Sequence, residues 1–374
     1  MIKMNTKIFI FGHYGEKNTG DDAMIYALLQ ELNEIFPLAK FSIMSPRRLF
    51  IPTHTIDKVK FIKPSFFPVF REIMSSSIFI MGGGTQIYDY GKKTERLKVL
   101  TQMLIITLWA KIFCSKIYFF NIGVEPFETN IRKFLSKRIC KLADLISLRD
   151  QYSYSILKNM GIKKIKLSFD LAVLLDPHSL ELNNSSSEDK FIGMSILPFY
   201  EIYHSSPSLD NKLINEFSTT LNEFLAVNSD YKLYLFIFKG KSRSDDYDIT
   251  QALKRKIDKK NNITIINYDS NPFKMLSYVK NCDIFIGMRY HSCLFAYITK
   301  KPLLIINYFQ KCSALAVEIG LPEKTVISLK DILDGGFNER LKDIINNPDE
   351  YMPSLPINKA KKRAKITNVY REVQ

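Results

Sequence analysis

Cysteine is scarce: Cys114, Cys140, Cys282, Cys293 and Cys312 are the five in 374 residues. They are scattered, odd in number and lack a C-x-x-C pair. A disulfide framework and a zinc ribbon are therefore excluded, and a reduced, cytoplasmic compartment is expected. The five histidines build no ligand cluster with them, so no metal site is expected. Long apolar runs are missing too. The longest without a charge, Val99 to Ala110, is interrupted by Thr101, Gln102 and Thr107 and stops at Lys111. A bilayer span needs about 20 apolar residues, so this run reads as a buried helix. The first residues, MIKMNTKIFIFGHYGEKN, enter a strand-like run at once, without the apolar stretch and small-residue cleavage site of a signal peptide. Fifteen Gly and 15 Pro exclude collagen-like and low-complexity architecture, and no solenoid period is present.

What is present is an ordinary globular composition, 46% apolar and 24% charged, with a net charge of +15. Such a basic balance favours anionic partners: phosphorylated metabolites, nucleic acid or an anionic lipid surface. The length fits about two domains. Short apolar runs alternate with helical stretches, as in Lys7–Gly12, Phe41–Met44, Ser77–Met81, Lys116–Asn121 and Leu145–Leu148. Solid apolar strands each followed by a helix predict a parallel sheet covered on both faces. A polar stretch, Asn183–Lys190, reads as a linker, after which the alternation restarts at Phe191. The expected architecture is α/β with two doubly wound, Rossmann-like domains facing a shared cleft. The boundaries are 1–182 for the first domain and 191–340 for the second. A basic helical segment follows at 341–374.

Three segments carry chemistry, and each follows a predicted strand. The first runs from Gly12 through Tyr14, Asn18 and Gly20 to Asp21, Asp22 and Ala23. Its glycines permit tight turns and close approach to a ligand, and Asp21 is placed to cap the helix that follows. The spacing is neither the dinucleotide G-x-G-x-x-G nor a P-loop, and a plain strand-to-helix turn accounts for it equally well. The second is Gly82-Gly83-Gly84, three residues costly in chain entropy and expected where the chain hugs a ligand. The third is Gly287-Met288-Arg289-Tyr290-His291. It sets a planar fork of donors and a group that titrates near neutral pH at a helix start, where anions are already favoured. Lys311 and Arg149 follow further strands; for each, a structural ion pair and a substrate contact explain the position equally well. The tail Lys359–Arg363 reads first as a solvated helix face and second as a contact for anionic lipid head groups.

Taken in order, these segments resemble the polysaccharide pyruvyl transferase family. The G-x-Y-G-x-x-N-x-G-D-D-A turn at Gly12–Ala23 is similar to that family's glycine-rich turn, with Asp22 where Glu is common. The triple glycine, the Arg149-Asp150 pair, the Asp170–Leu175 stretch and the G-x-R-x-H set at Gly287, Arg289 and His291 follow. Tyr308, Lys311, Gly320 and Leu321 complete it. The resemblance implies a GT-B-like fold and phosphoenolpyruvate as donor substrate, with no other cofactor. It implies a sugar acceptor, free or lipid-linked, and a pyruvate ketal as product. His291 would then be the general acid or the holder of the leaving phosphate, and Asp21 or Asp22 the base. Arg289, Lys311 and Arg149, with Gly12, Tyr14, Asn18, Gly20 and Gly82–Gly84, would bind substrate. An enzyme of this kind would be cytoplasmic, with peripheral contact at the inner membrane face.

Two other readings stand beside it. A glycosyltransferase of the same architecture would use a nucleotide-sugar, but Glu318 is the one carboxylate near the expected ribose position. A non-catalytic binder of anionic glycan or nucleic acid would suit the charge. The basic residues, however, are spread along the chain and no nucleic-acid motif is present, so no nucleic-acid partner is expected.

Overall fold

The computed structural model describes residues 6–88, 93–179, 189–241 and 245–371. The polar stretch at 183–188 and the end of the second glycine segment, Asp89, lie outside them. The chain divides into two compact units. The first comprises residues 1–16, 21–174 and 358–374, and the second residues 17–20 and 175–357. The division differs from the sequence reading at both ends. Four residues of the N-terminal glycine-rich segment belong to the second unit. The last 17 residues group with the first instead of forming a segment with 341–357.

In the first unit the strands are β1 (Lys7–Phe11), β2 (Lys40–Met44), β3 (Val59–Ile62), β4 (Ile78–Gly82), β5 (Thr85–Ile87), β6 (Lys116–Val124), β7 (Leu145–Leu148) and β8 (Ile165–Leu167). They pair in the order β3-β2-β1-β4-β6-β7-β8, with the short β5 beside β6 and each of these pairs parallel. The helices are α1 (Thr19–Ile35), α2 (Phe66–Met74), α3 (Lys93–Phe113), α4 (Asn130–Leu142) and α5 (Gln151–Asn159). The stretch 50–69, which carries no motif, supplies β3 and the start of α2. Strands β1, β4 and β6 are buried almost throughout, as a sheet covered on both faces requires. Below them, Phe9, Phe79, Phe119 and Ile146 join Val69, Ile73, Leu100, Met103 and Ile139 from the helices in one core.

One expectation fails here. The run Val99–Ala110 is not a buried helix. It lies in α3, which buries Leu100, Met103 and Ala110 but leaves Ile105, Leu108 and Ile112 exposed.

The second unit repeats the plan with β9 (Lys190–Ser195), β10 (Tyr231–Phe236), β11 (Ile263–Ile266), β12 (Ile284–Gly287), β13 (Leu303–Asn307) and β14 (Val326–Ser328). The order β11-β10-β9-β12-β13-β14 is that of a Rossmann sheet. Its helices include α6 (Phe199–His204), α7 (Pro207–Val227), α8 (Tyr247–Lys256), α9 (Pro272–Lys280), α10 (Tyr290–Ile298) and α11 (Gln310–Ile319). Strand order reverses between β9 and β12 in this sheet and between β1 and β4 in the other. Ligands of open α/β sheets bind at the carboxyl ends of strands at such a switch point.

The basic tail forms two short helices, Ile357–Ala364 and Ile366–Arg371. One face of it is docked, while Lys359 and Lys362 on the basic face are exposed, as a solvated helix face requires. Ala360, Ala364, Ile366 and Val369 are buried, and the Arg363 guanidinium donates to the Ser168 carbonyl at 3.0 Å. The amide of Asn121, the last buried polar group before β6 ends, donates to the Ala364 carbonyl at 2.8 Å.

Candidate active site

Strand β12 delivers its last residue, Gly287, level with Ser195 of β9. A side chain at 287 would meet Cys293 Sγ at 2.6 Å, so only glycine lets α10 pack this close to the strand end. The Met288 amide donates to the Ser195 carbonyl, and Arg289 takes the N-cap position of α10 with extended backbone. Its carbonyl receives the Ser292 and Cys293 amides, which fixes the turn.

The Arg289 side chain is held by Asp246, the residue before α8. Arg289 Nε donates to both carboxylate oxygens at 2.7 Å, and Nη2 donates to the same group. Asp246 is fully buried, with Arg289 17% exposed. The carboxylate also receives the Lys239 amide at 2.9 Å. Burial pushes the Asp246 carboxyl up from its ordinary value, and Arg289 and the Lys239 amide draw it back. For Arg289 burial works against the charge, but Asp246 outweighs it, with Tyr308 and Tyr203 adding to the pull, and the guanidinium is held charged more firmly than usual. Asp246 was not legible as a site residue; in the sequence it reads only as the start of a helix.

His291 is the second residue of α10. Its imidazole lies directly over Gly20: a Cβ there would stand 2.0 Å from Nδ1. Residues 17–20 run beside the chain that leaves β10. Asn18 makes an antiparallel bridge with Lys239, the Thr19 amide donates to the Phe238 carbonyl and the Gly240 amide to the Lys17 carbonyl. The structure thus brings the end of the first motif onto the third, within the second unit. It also corrects the cap. Helix α1 begins at Thr19, and it is Asn18, not Asp21, whose side chain accepts a first-turn amide, that of Gly20 at 3.1 Å. Gly20→Ala is expected to destabilise the protein by about 1–3 kcal/mol through overpacking. Adding His291→Ala should remove most of that loss, which a double-mutant cycle in urea would show.

Along the same strand ends, Thr19 Oγ1, Ser195 Oγ and Asn307 Oδ1 are buried and have no hydrogen-bond partner among the described residues. Such atoms normally find one, and a polar ligand would supply it. Lys311 opens α11 with its ammonium 5.1 Å from the Tyr308 ring and 5.6 Å from that of Phe309. Phe199 and Tyr203 of α6 pack on these two rings, making an aromatic wall on the Lys311 side.

The candidates in the first unit have a different character. Tyr14 is buried and donates its hydroxyl to the Gly82 carbonyl at 2.6 Å. A side chain at Gly12 would strike the Tyr14 ring, and one at Gly82 would strike Leu28 and the Tyr14 hydroxyl. Gly83 and Gly84 have φ of +59° and +71°, which glycine adopts freely, and they pack against Met24. The triple glycine is therefore filled by the protein's own side chains, against the expectation that it hugs a ligand. Asp22 is buried and paired with Arg47 at 3.3 Å, which leaves it poorly placed as a base. Asp21 is half-buried in the first turn of α1, near Gly84. Arg149 is 3% exposed. It donates to Asp150 at 3.2 Å, Asp170 at 3.5 Å and Thr85 at 2.9 Å, with its guanidinium against Gly123. It ties β5, β7 and the Asp170 turn together and is a packing residue more than a substrate ligand. No cluster of three or more His, Cys, Asp or Glu side chains suited to a metal occurs among the described residues.

Two Rossmann-like units with the polar residues at a switch point define a GT-B-like α/β protein. The chain is similar to solved sugar-nucleotide enzymes of that fold. S. aureus MnaA with UDP matches with a TM-score of 0.64 at 12% identity, covering 99% of this chain and 97% of that one. UDP-GlcNAc 2-epimerase from Neisseria meningitidis, bound to UDP-GlcNAc, matches at 0.62 and 11%, covering 99% and 100%. The enzyme from Methanocaldococcus jannaschii matches at 0.61 and 13%, covering 98% and 99%. At these identities the likeness concerns the fold alone. The family follows from a separate comparison: the polysaccharide pyruvyl transferase model matches residues 18–309, and the chain belongs to that family.

Proposed function

We propose that the chain transfers the pyruvyl group of phosphoenolpyruvate to two hydroxyls of a surface-polysaccharide sugar or its precursor, releasing phosphate and leaving a cyclic ketal. The observation that carries this reading is Arg289, clamped by buried Asp246 at the switch point beside His291. Phosphoenolpyruvate bears a carboxylate and a phosphate. A guanidinium held charged, the Lys311 ammonium and the start of α10 suit such a doubly anionic donor.

The chemistry assigns each group a task. A proton goes to the methylene carbon C3, and C2 becomes electron-poor and cation-like. One sugar hydroxyl adds to C2 and gives up its proton. The C2–O bond to phosphate then breaks, the phosphate leaving with the electron pair, and the second hydroxyl closes the ring as its proton is lost. Phosphoenolpyruvate plus diol thus balances ketal plus phosphate. His291 is the proton donor to C3 or to the departing phosphate, and Arg289 holds the donor's anionic end.

The test is incubation of the full chain with phosphoenolpyruvate, UDP-glucose or UDP-N-acetylglucosamine and a panel of oligosaccharides. Phosphate release with phosphoenolpyruvate, together with a product heavier by one pyruvate less one water, is the expected result. UDP release with no phosphate would replace this reading with the nucleotide-sugar one.

A further inference from the structure

The first unit carries a surface that its fold does not need. Phe66 and Phe67 open α2 at 66% and 80% exposed. On α3, Ile105, Leu108 and Ile112 recur at helical spacing on the outer face, Ile112 at 70%. Ile131 and Phe134 continue the exposed apolar set on α4. Helix α3 packs on both α2 and α4. A run of rings joins the first two: Phe66 stacks on Phe70, Phe70 lies 3.4 Å from Trp109 and Trp109 4.8 Å from Phe113. From Leu97 to Ile112 the outer stripe of α3 is roughly 22 Å long. Exposed apolar surface on this scale marks an interaction site.

Charge says what covers it. Arg71, Lys98, Lys111, Lys133 and Arg138 lie on the same three helices and Lys63 just before α2, Arg138 stands over the Phe134 ring, and α4 contains five basic residues and no acidic one. Glu72, an acid of α2, is buried and bonded to Ser42, Lys7 and Lys60. Beyond the end of α3 lies a groove of about 640 Å³ lined by Lys116, Lys163, Lys164 and Lys166 with Tyr118 and Tyr370. Asp144 also lines it and accepts from Lys111 of α3 at 3.4 Å, so the groove adjoins the apolar stripe. A second copy in a two-fold contact would set this basic rim against itself. Nucleic acid has no use for an aliphatic stripe. No helix among the described residues is long and apolar enough to cross a membrane.

We propose that the outer face of α2, α3 and α4 and the adjoining lysine groove dock on an anionic lipid bilayer, the apolar side chains entering the interface and the lysines meeting headgroup phosphates. The inference rests on the first unit alone and stands or falls apart from the donor assignment. The run Lys359–Arg363, whose Arg363 donates to the Ser168 carbonyl, is not part of this surface.

Flotation of the full chain with phosphatidylglycerol-containing vesicles, against phosphatidylcholine alone, tests it. Binding to the anionic vesicles only, weakened by salt, is expected. Leu108→Ser with Ile112→Ser should lower the bound fraction at least about tenfold, since each side chain contributes about a factor of ten when buried. Lys163→Glu with Lys164→Glu should do the same from the charged side. Melting temperatures equal to wild type show that both variants fold, and either one suffices if the other does not. The proposal is overturned by absence of vesicle binding, or by wild-type binding of the folded variants. It is equally overturned if the wild type is a dimer in sedimentation that the serine variant dissociates.

Discussion

His291→Ala is expected to lower turnover at least about a hundredfold with the unfolding transition close to wild type, the scale of losing one placed acid. The reasoning starts from where the ring is held. It rests on the bare backbone of Gly20 and meets the Tyr290 ring edge-on at 5.1 Å, so its position is fixed by packing from both sides. Removing it opens space at a half-buried strand end and disturbs no strand, which is why rate and stability separate. Phosphate release under saturating donor measures the loss. Near wild-type turnover would remove His291 from the mechanism.

Asp246→Ala should cost about 3–5 kcal/mol of stability, the loss seen when one partner of a buried ion pair is removed and the other charge is stranded. Arg289 is the stranded group, and its retained charge is what makes the loss large. Urea unfolding measures it. Replacing both partners by apolar residues of similar size, Asp246→Leu with Arg289→Met, should recover most of the stability and none of the activity. That pattern would show the pair to be kept for the site and not for the fold. Full activity in the double variant, or no destabilisation in the single one, would refute the assignment.

Much of this architecture was legible because its signals are local. Strands such as Lys7–Phe11 and Ile284–Gly287 are solid apolar runs ending in glycine, and their order along the chain dictates a parallel sheet. Arg289 and His291 were legible for the same reason: a strand end and a helix start lie within five residues of each other. What the sequence hid depends on pairing between distant residues. Asp246 stands 43 positions before Arg289, in a run of polar residues that any helix start would show. The glycines misled because packing and ligand approach leave the same mark, and only the Tyr14 and Leu28 side chains reveal which applies. At Arg149 an ion pair and a substrate contact could not be told apart, because Thr85 and Asp170 reach it only through the fold. The apolar run of α3 looked like core because a helix with an exposed apolar stripe and a buried one share a composition and differ in what lies opposite.

The Asn121 amide waits for the Ala364 carbonyl, 243 positions downstream. During synthesis, therefore, the second unit's sheet can close while the first still lacks a wall. A chain that ends between residues 357 and 364 has the earlier-made half unfinished and the later-made half whole, the reverse of the usual order for a vectorially emerging chain.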